Sequence, residues 1–311
     1  YPMSNTGSAI TVLYCSGSNI AAKTHTLKNS AQVTIGFNAG KWFILKAVEL
    51  TGIHDLHDLL VALGDRKDVL IIRGQLNTAS VARANGTVRR AKNPDKELGE
   101  TAPYFVEVPR RWVMLDFDKL PNPHGLDPTS PEAMCYLRSL LPPEFQEVEC
   151  SYSLSSSAGL SGATTISGHL WFWLDRPVGE GELKRWLAAA PVDKALFRTV
   201  QPHYVATPIF ENGRVDPVAD RKGLLEGASV SIKVPPIPME PLEPPRSPRG
   251  NGAGLEAAFG YEAKMALLGD GQGLEGCHNV ITSAIAAYIN EHGPAADREA
   301  LKADIRRRVE A

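Results

Sequence analysis

No two cysteines in the sequence are placed to act together. The chain holds four (Cys15, Cys135, Cys150 and Cys277), with no CxxC and no Cys/His spacing that suits zinc. That argues against a zinc ribbon and against a disulfide-stapled secreted domain; a reduced, intracellular protein is the expectation. Long apolar runs are missing too. None approaches the roughly 20 residues that span a bilayer, and the polar start has no signal-peptide pattern, so no membrane partner is expected. There is no excess of either charge: 33 Lys+Arg stand against 35 Asp+Glu, a net charge of −2. This excludes histone-like binding through bulk charge but leaves room for a local basic groove. No GxxxxGK[ST] run is present, so no P-loop motor is encoded here. What remains is an ordinary globular balance, 43% hydrophobic and 22% charged over 311 residues, enough for one large domain or two smaller ones.

Apolar patterning sketches the elements. Ile10–Tyr14, Gln32–Phe37 and Asp68–Arg73 read as strands. From Lys41 to Leu63 an apolar series (Ile44, Val48, Ile53, Leu56, Leu59, Leu60, Leu63) recurs at helical spacing, with Gly52 dividing two helices. Residues 77–101 lose periodicity and read as a long loop, rich in basic residues. Arg111–Asp118 (RWVMLDFD), Glu149–Ser156, Ser167–Leu174 (SGHLWFWL), Tyr204–Phe210 and Ser229–Val234 read as strands, and Pro131–Leu141 and Gly179–Ala190 as helices. Between 235 and 254 seven prolines fall in the first fourteen positions, which precludes a helix or a central strand. Helices are expected at 255–268, 280–291 and from Asp297 onwards. The plan is an α/β (α+β) module over 1–234, a Pro-rich linker over 235–254 and a small helical domain over 255–311.

Three short patterns carry chemistry. Asp116 and Asp118 lie at i and i+2, on one face of a strand. Two carboxylates at a strand end repel unless a positive partner stands between them, and a divalent cation is the natural one; the plainer alternative is a pair of solvated side chains. Ser167 and His169 share a strand face in the same way, with Gly168 leaving room for close backbone approach; hydroxyl and imidazole can both donate to phosphate oxygens. Asp193, in Pro191-Val192-Asp193, follows the second helix and reads equally as an N-cap for Lys194–Thr199. Asp216, in a turn-like stretch, competes for the same carboxylate role. Arg73, Arg111, Arg221 and Lys222 are candidates for phosphate, and Arg83, Arg89, Arg90 and Lys92 for a template backbone. His203-Tyr204 reads as a buried pair or as a stacking element, and His54 with His57 as a solvated helix face rather than a metal site.

The ordered trio Leu115-Asp116-Phe117-Asp118, Ser167-Gly168-His169 and Val192-Asp193 resembles the archaeo-eukaryotic primase superfamily, in its primase-polymerase branch from phages, plasmids and integrated elements. The resemblance covers roughly residues 105–225. It implies an RRM-like sheet followed by a small helical domain, and DNA primase/polymerase activity as a nucleotidyltransferase in DNA replication. Asp116, Asp118 and Asp193 would bind two divalent ions (Mg²⁺ or Mn²⁺). Ser167, His169, Arg221, Lys222 and Arg73 would contact the NTP or dNTP, and Arg83, Arg89, Arg90, Lys92 and Arg111 the single-stranded DNA template. The setting implied is the cytoplasm of a bacterial host, with a replicative helicase beyond Ala311 or on another chain. Two other classes stay open: a haloacid-dehalogenase-like phosphatase, which also uses a DxD strand end but places it at the start of its domain and has no role for Ser-x-His, and a non-catalytic replication initiator. From the proline pattern, limited proteolysis with a non-specific protease is expected to cut first within 235–254, read by mass spectrometry of the fragments. First cuts inside 105–225 would overturn the domain plan.

Overall fold

The structure is a computed structural model that describes residues 7–80, 86–160, 162–237 and, beyond these, 261–262, 284–285, 287–289, 291–292 and 297–309. The chain divides into two compact units, Tyr1–Ile237 and Pro238–Ala311. Residues 238–254 of the Pro-rich segment lie outside the described residues, as does Arg83.

Among the described residues the first unit runs β1 (Ala9–Cys15), β2 (Thr24–Lys28), β3 (Ala31–Ile35), β4 (Trp42–Glu49), α1 (Ile53–Gly64), β5 (Val69–Ile72), β6 (Gln75–Leu76), β7 (Val88–Arg89), β8 (Phe105–Val106), β9 (Arg110–Pro121), α2 (Pro131–Ser139), α3 (Pro143–Gln146), β10 (Cys150–Leu154), β11 (Thr165–Val178), α4 (Glu180–Trp186), β12 (His203–Tyr204), β13 (Ile209–Phe210) and β14 (Lys222–Leu225). It is a mixed α+β fold. One sheet has the order β12-β5-β1-β4-β7 and a second the order β14-β10-β11-β9; both are antiparallel throughout. In the second sheet β9, the α2–α3 segment and β10 make a crossover, with β11 inserted antiparallel between the two parallel strands. No helix among the described residues is long and apolar enough to cross a membrane.

Most of the second sheet is packed on both faces, which explains the dense apolar runs of β9 and β11. Val113, Leu115, Phe117, Leu170, Phe172 and Leu174 face α2 (Ala133, Met134, Leu137), α3 (Phe145) and α4 (Leu183). On the other face Trp112, Met114, Trp171 and Trp173 pack against Ile10 and Val12 of β1, Val69 and Ile71 of β5 and the Ile53/Leu56/Leu60/Leu63 stripe of α1. A third cluster lines the far face of the first sheet, with Leu13, Phe43, Leu70, Ile72 and Phe105. In the second unit Tyr261, Ala284 and Leu301 share a small buried cluster, and Tyr261 Oη donates to Asp304 at 2.7 Å, on a helix over Arg298–Val309. The helices expected at 255–268 and 280–291 fall largely outside the described residues.

Several expectations are corrected. The helical series from Lys41 begins in a strand: β4 pairs with β1 from Ala9↔Glu49 to Cys15↔Phe43. Ile44 is 55% exposed, so its helical spacing to Val48 was coincidental, and the aromatic and β-branched content of WFILKAVE favours the pleated sheet. The helix expected over 179–190 stops at Trp186. Tyr204–Phe210 splits into β12 and β13, which join different sheets, and Ser229–Val234 makes only isolated bridges, at Ser229 and Ile232. The loop over 77–101 contains β7, which pairs with the start of β4, Trp42 and Phe43.

Arg73 is the main relocation. It is 3% exposed, and its guanidinium donates to Trp112 O at 2.7 Å and to Val178 O at 2.9 Å, far from any phosphate role. Arg110, 1% exposed, donates back to Arg73 O at 2.8 Å. Burial pushes both below the usual arginine range, Arg73 to about 9 and Arg110 to about 10. The pair stitches β5 to β9 and β11 where ladder bonds are lacking. Arg73→Met leaves two buried carbonyls without donors and is expected to cost about 2–4 kcal/mol in chemical denaturation; a loss within 0.5 kcal/mol, the ordinary range of surface substitutions, would overturn this assignment.

Candidate functional site

Sheet register builds the site. Asp116 of β9 stands opposite His169 of β11, His169 opposite Ser153 of β10, and Ser153 opposite Lys222 of β14. The four side chains form one row across all four strands, on a single face. The neighbouring row on that face is Met114, Trp171, Ser151 and Leu224. There Met114 and Trp171 lie in the central core, Leu224 packs against it, and Ser151 Oγ is 2.9 Å from His57 Nδ1 of α1. The core therefore ends between the two rows, and the polar row opens into a cleft of about 530 Å³. That cleft brings together Asp116, Asp118, Asp193, Ser167, His169, Arg221 and Lys222. It also gathers Lys23, Phe37, Ser153, Ser155, Ser156, Ser157, Tyr204 and Thr207.

A β-bulge shapes the carboxylate end. Gly168 pairs with Phe117 and Ile166 with Leu120, so Asp118 and Lys119 together oppose Ser167. Lys119 takes a left-handed conformation (φ 51°), and its amide donates to Ser167 Oγ at 2.7 Å. The extra residue returns Leu120 to the apolar face while Asp118 stays exposed beside Asp116. Gly168 has a different reason than expected. A Cβ there would meet Met134 Sδ at 2.7 Å, so this glycine admits α2 rather than a ligand.

Asp193 is held against the strand end: its amide donates to Asp116 O at 3.1 Å. Its Oδ1 accepts from Ala195 N at 2.8 Å, capping the single-turn helix Lys194–Phe197. The cap and the cleft-facing position thus coexist in one residue. Asp216 does not line the cleft. Arg221 forks its carboxylate (Nε–Oδ2 2.7 Å, Nη2–Oδ1 2.6 Å), and Val218 N donates to Oδ1 at 3.0 Å. Burial raises the Asp216 pKa, but these hydrogen bonds and the guanidinium charge outweigh it and hold the carboxyl below its ordinary value.

The donor chemistry suits a hard cation. Asp118 has no hydrogen-bond or ion-pair partner among the described residues. Among the described residues Asp193 has no partner on Oδ2, and Asp116 engages one oxygen, Oδ1, 3.2 Å from His169 Nε2. Among the described residues no three His, Cys, Asp or Glu side chains are drawn together closely enough to hold a metal. Oxygen ligands of the right kind therefore share one cleft without being gathered into a cage.

The basic candidates divide. Arg221 is 5% exposed, with Nη1 donating to Ser155 O at 2.9 Å. Lys222 Nζ donates to Val205 O at 2.6 Å. Arg111 donates to Asp175 O, outside the cleft. Arg89 is paired with Glu100, and Arg90 donates to Val200 O at 2.9 Å with its guanidinium over Phe43; both are engaged within the protein. Lys92 is exposed, away from the cleft lining. His54 is exposed, 3.1 Å from Oε1 of the largely buried Glu149, but His57 is half-buried with Nδ1 2.9 Å from Ser151 Oγ, so the solvated face expected for the pair holds for His54 alone. The run Ser155-Ser156-Ser157 was available in the sequence as a hydroxyl-rich loop between two strands. Lys23 and Phe37 gave no local signal.

Burial pushes the Lys222 ammonium from 10.5 down to about 8. Above about pH 8 the folded protein releases this proton while the unfolded chain retains it up to 10.5, so this group's contribution to stability rises with pH across that window. Urea unfolding at pH 7.5 and 9.5 is expected to show the wild type gaining about 1–2 kcal/mol relative to Lys222→Met; parallel responses would place the ammonium in water.

Compared with protein-family models, curated proteins and solved structures, the chain matches none.

Proposed function

We propose that this chain is a template-directed nucleotidyltransferase of the primase-polymerase kind. It would make or extend primers from NTP or dNTP on single-stranded DNA during replication of a phage or mobile element. The observation that carries the reading is the row Asp116–His169–Ser153–Lys222, flanked by Asp118, Asp193, Ser167 and Arg221, at the rim of one cleft. Carboxylates stand at one end and cations with hydroxyls at the other. A polyphosphate bridged to the carboxylates by divalent cations needs that division. A phosphatase of the DxD type has no role for the Ser167–His169 strand, which here faces the carboxylates across the sheet.

Asp116, Asp118 and Asp193 would hold two Mg²⁺ or Mn²⁺ ions. When bound, such ions lower the pKa of an attacking 3′-hydroxyl and neutralise charge on the transferring phosphoryl group. The chain's own residues bind and orient. His169 lies between Asp116 and Ser153, whose Oγ is 3.4 Å from Nδ1. To donate to a phosphate oxygen the ring would exchange its contact with Asp116 or with Ser153 for the ligand. Lys222 supplies a compact charge at the far end of the row, and the buried Arg221 fixes the serine loop in place. In this reading the β14-β10-β11-β9 sheet is the RRM-like element. Its β-α-β crossover with an inserted antiparallel strand suits that identification, while β14 lies beside β10, at the edge opposite the carboxylate strand.

Primer extension on a single-stranded template with Mg²⁺ or Mn²⁺ tests the reading. Asp116→Asn and Asp118→Asn are each expected to reduce incorporation to background, with stability unchanged or slightly raised because like charges are removed. His169→Ala is expected to weaken the dependence on nucleotide about ten- to hundredfold, the worth of a charge-assisted hydrogen bond. Near-normal extension by either aspartate variant overturns the proposal.

A further inference from the structure

One end of the cleft is aromatic, and neither the carboxylates nor the phosphate-facing groups account for it. Phe37 follows β3 and Tyr204 belongs to β12, so two distant segments supply the pair. Their rings are stacked with centroids 3.5 Å apart and planes within 1° of parallel. Isolated aromatic pairs prefer offset or edge-on contact at larger separations. A face-to-face pair instead presents one flat, backed surface. Tyr204 is half-buried and packs on the core of the first sheet, whereas Phe37 is 37% exposed. Of the other rings lining the cleft, Phe117 is fully buried and His169 belongs to the polar row, so Phe37 is the most exposed phenyl or phenol ring of the cleft among the described residues. Tyr204 at 3.5 Å leaves no space for another group on its side of Phe37. The Lys23 ammonium, 5.2 Å from the ring centroid, therefore marks the opposite face. Lys23 has no carboxylate partner among the described residues, and its long side chain is free to move from ring to phosphate.

We infer that Phe37, backed by Tyr204, is a stacking platform for a nucleobase, with Lys23 swinging from the ring to the sugar-phosphate of the stacked nucleotide. The inference rests on the reading of the cleft as a nucleotide site and adds the subsite that reads the base. Its chemistry fits any base, because each has a π face, and it makes no hydrogen bond to a base edge. The base comes either from the incoming nucleotide or from the template strand; the flat face recognises both.

The test uses 2-aminopurine, whose emission falls when it stacks. Two probes separate the sources: free 2-aminopurine riboside triphosphate, and a single-stranded oligothymidylate carrying one 2-aminopurine. Quenching of either probe by the full chain, titrated at constant salt, supports the platform and names the source. Phe37→Leu is expected to weaken binding of the quenched probe roughly five- to hundredfold, while Phe37→Trp keeps or strengthens it. Inorganic tripolyphosphate, which has no base, should compete equally well against wild type and Phe37→Leu. Wild-type quenching does not depend on how any variant folds. Binding of a probe without quenching, or Phe37→Leu binding as tightly as wild type, overturns the platform alone. Failure of the wild type to bind either probe overturns the nucleotide-site reading beneath it, and the platform with it.

Discussion

The boundary between two rows of one antiparallel sheet is the constraint on which the rest depends. Register sets which side chains share a row, and a one-residue slip in any strand would exchange faces. In β9, β10, β11 and β14 the row containing Met114 and Trp171 is sealed by α1 and the first sheet, while the next row on the same face is polar and open. Both faces of β9 and β11 are packed up to that line, so slippage would bury a carboxylate and an imidazole among the phenylalanines and leucines of the opposite core. That cost, several kcal/mol for each unpaired charge, far exceeds anything a single cross-strand contact contributes. The row's position is thus fixed by the apolar residues beside it more than by its own interactions.

The same logic sorts the cations. A net charge near zero says nothing about where charge lies, and here the arginines do two jobs. Arg73 and Arg110 are buried, with carbonyl oxygens as their partners. Arg89 and Arg90 are likewise engaged within the protein, by the Glu100 carboxylate and by Val200 O. Among the described residues the cations that line the cleft are fewer: Lys23, Arg221 and Lys222, set against three carboxylates. From sequence alone an arginine ending a strand looks the same in either role. The difference lies in which carbonyls are left without ladder partners, and that is decided by the packing of β5 against β9 and β11.

Legibility in the sequence follows the same division. Asp116 with Asp118 and Ser167 with His169 were readable because strand alternation is local, and both strands are apolar enough to be recognised. The bulge that returns Leu120 to the apolar face after Asp118 was not readable, since it depends on Lys119 adopting φ 51° opposite Ser167. The strand β4 was misread because an amphipathic surface strand and a short helix both place apolar residues four apart; pairing along the whole of β1 decides between them. Asp193 was legible as a cap or as a cleft residue but not as both. Lys23 and Phe37 were illegible in principle. They reach the cleft from the β2–β3 segment, and no local pattern encodes that distance.

That segment is tied to the rest of the cleft by more than stacking. His25 on β2 sits with Nε2 2.8 Å from Ser156 O and Nδ1 3.0 Å from Thr34 Oγ1 of β3. Burial, helped by the nearby cations Arg214, Arg221 and Lys23 and outweighing the bond to Ser156, holds its pKa below the ordinary value. A neutral ring has one donor and one acceptor, and the partners fit: Nε2–H donates to the serine-loop carbonyl and Nδ1 accepts from the threonine hydroxyl. Arg221 grips the same loop from the other side through Ser155 O and Ala158 O, while Asp216 balances its charge. The serine loop is thus clamped between the hairpin that leads to Phe37 and the strand that carries Lys222. Displacing it would break bonds at two distant points of the chain at once. The aromatic end of the cleft and the strand that carries Lys222 are consequently fixed relative to one another by backbone carbonyls, and Lys222 itself is held by Val205 O, which leaves the long side chain of Lys23 as the adjustable part.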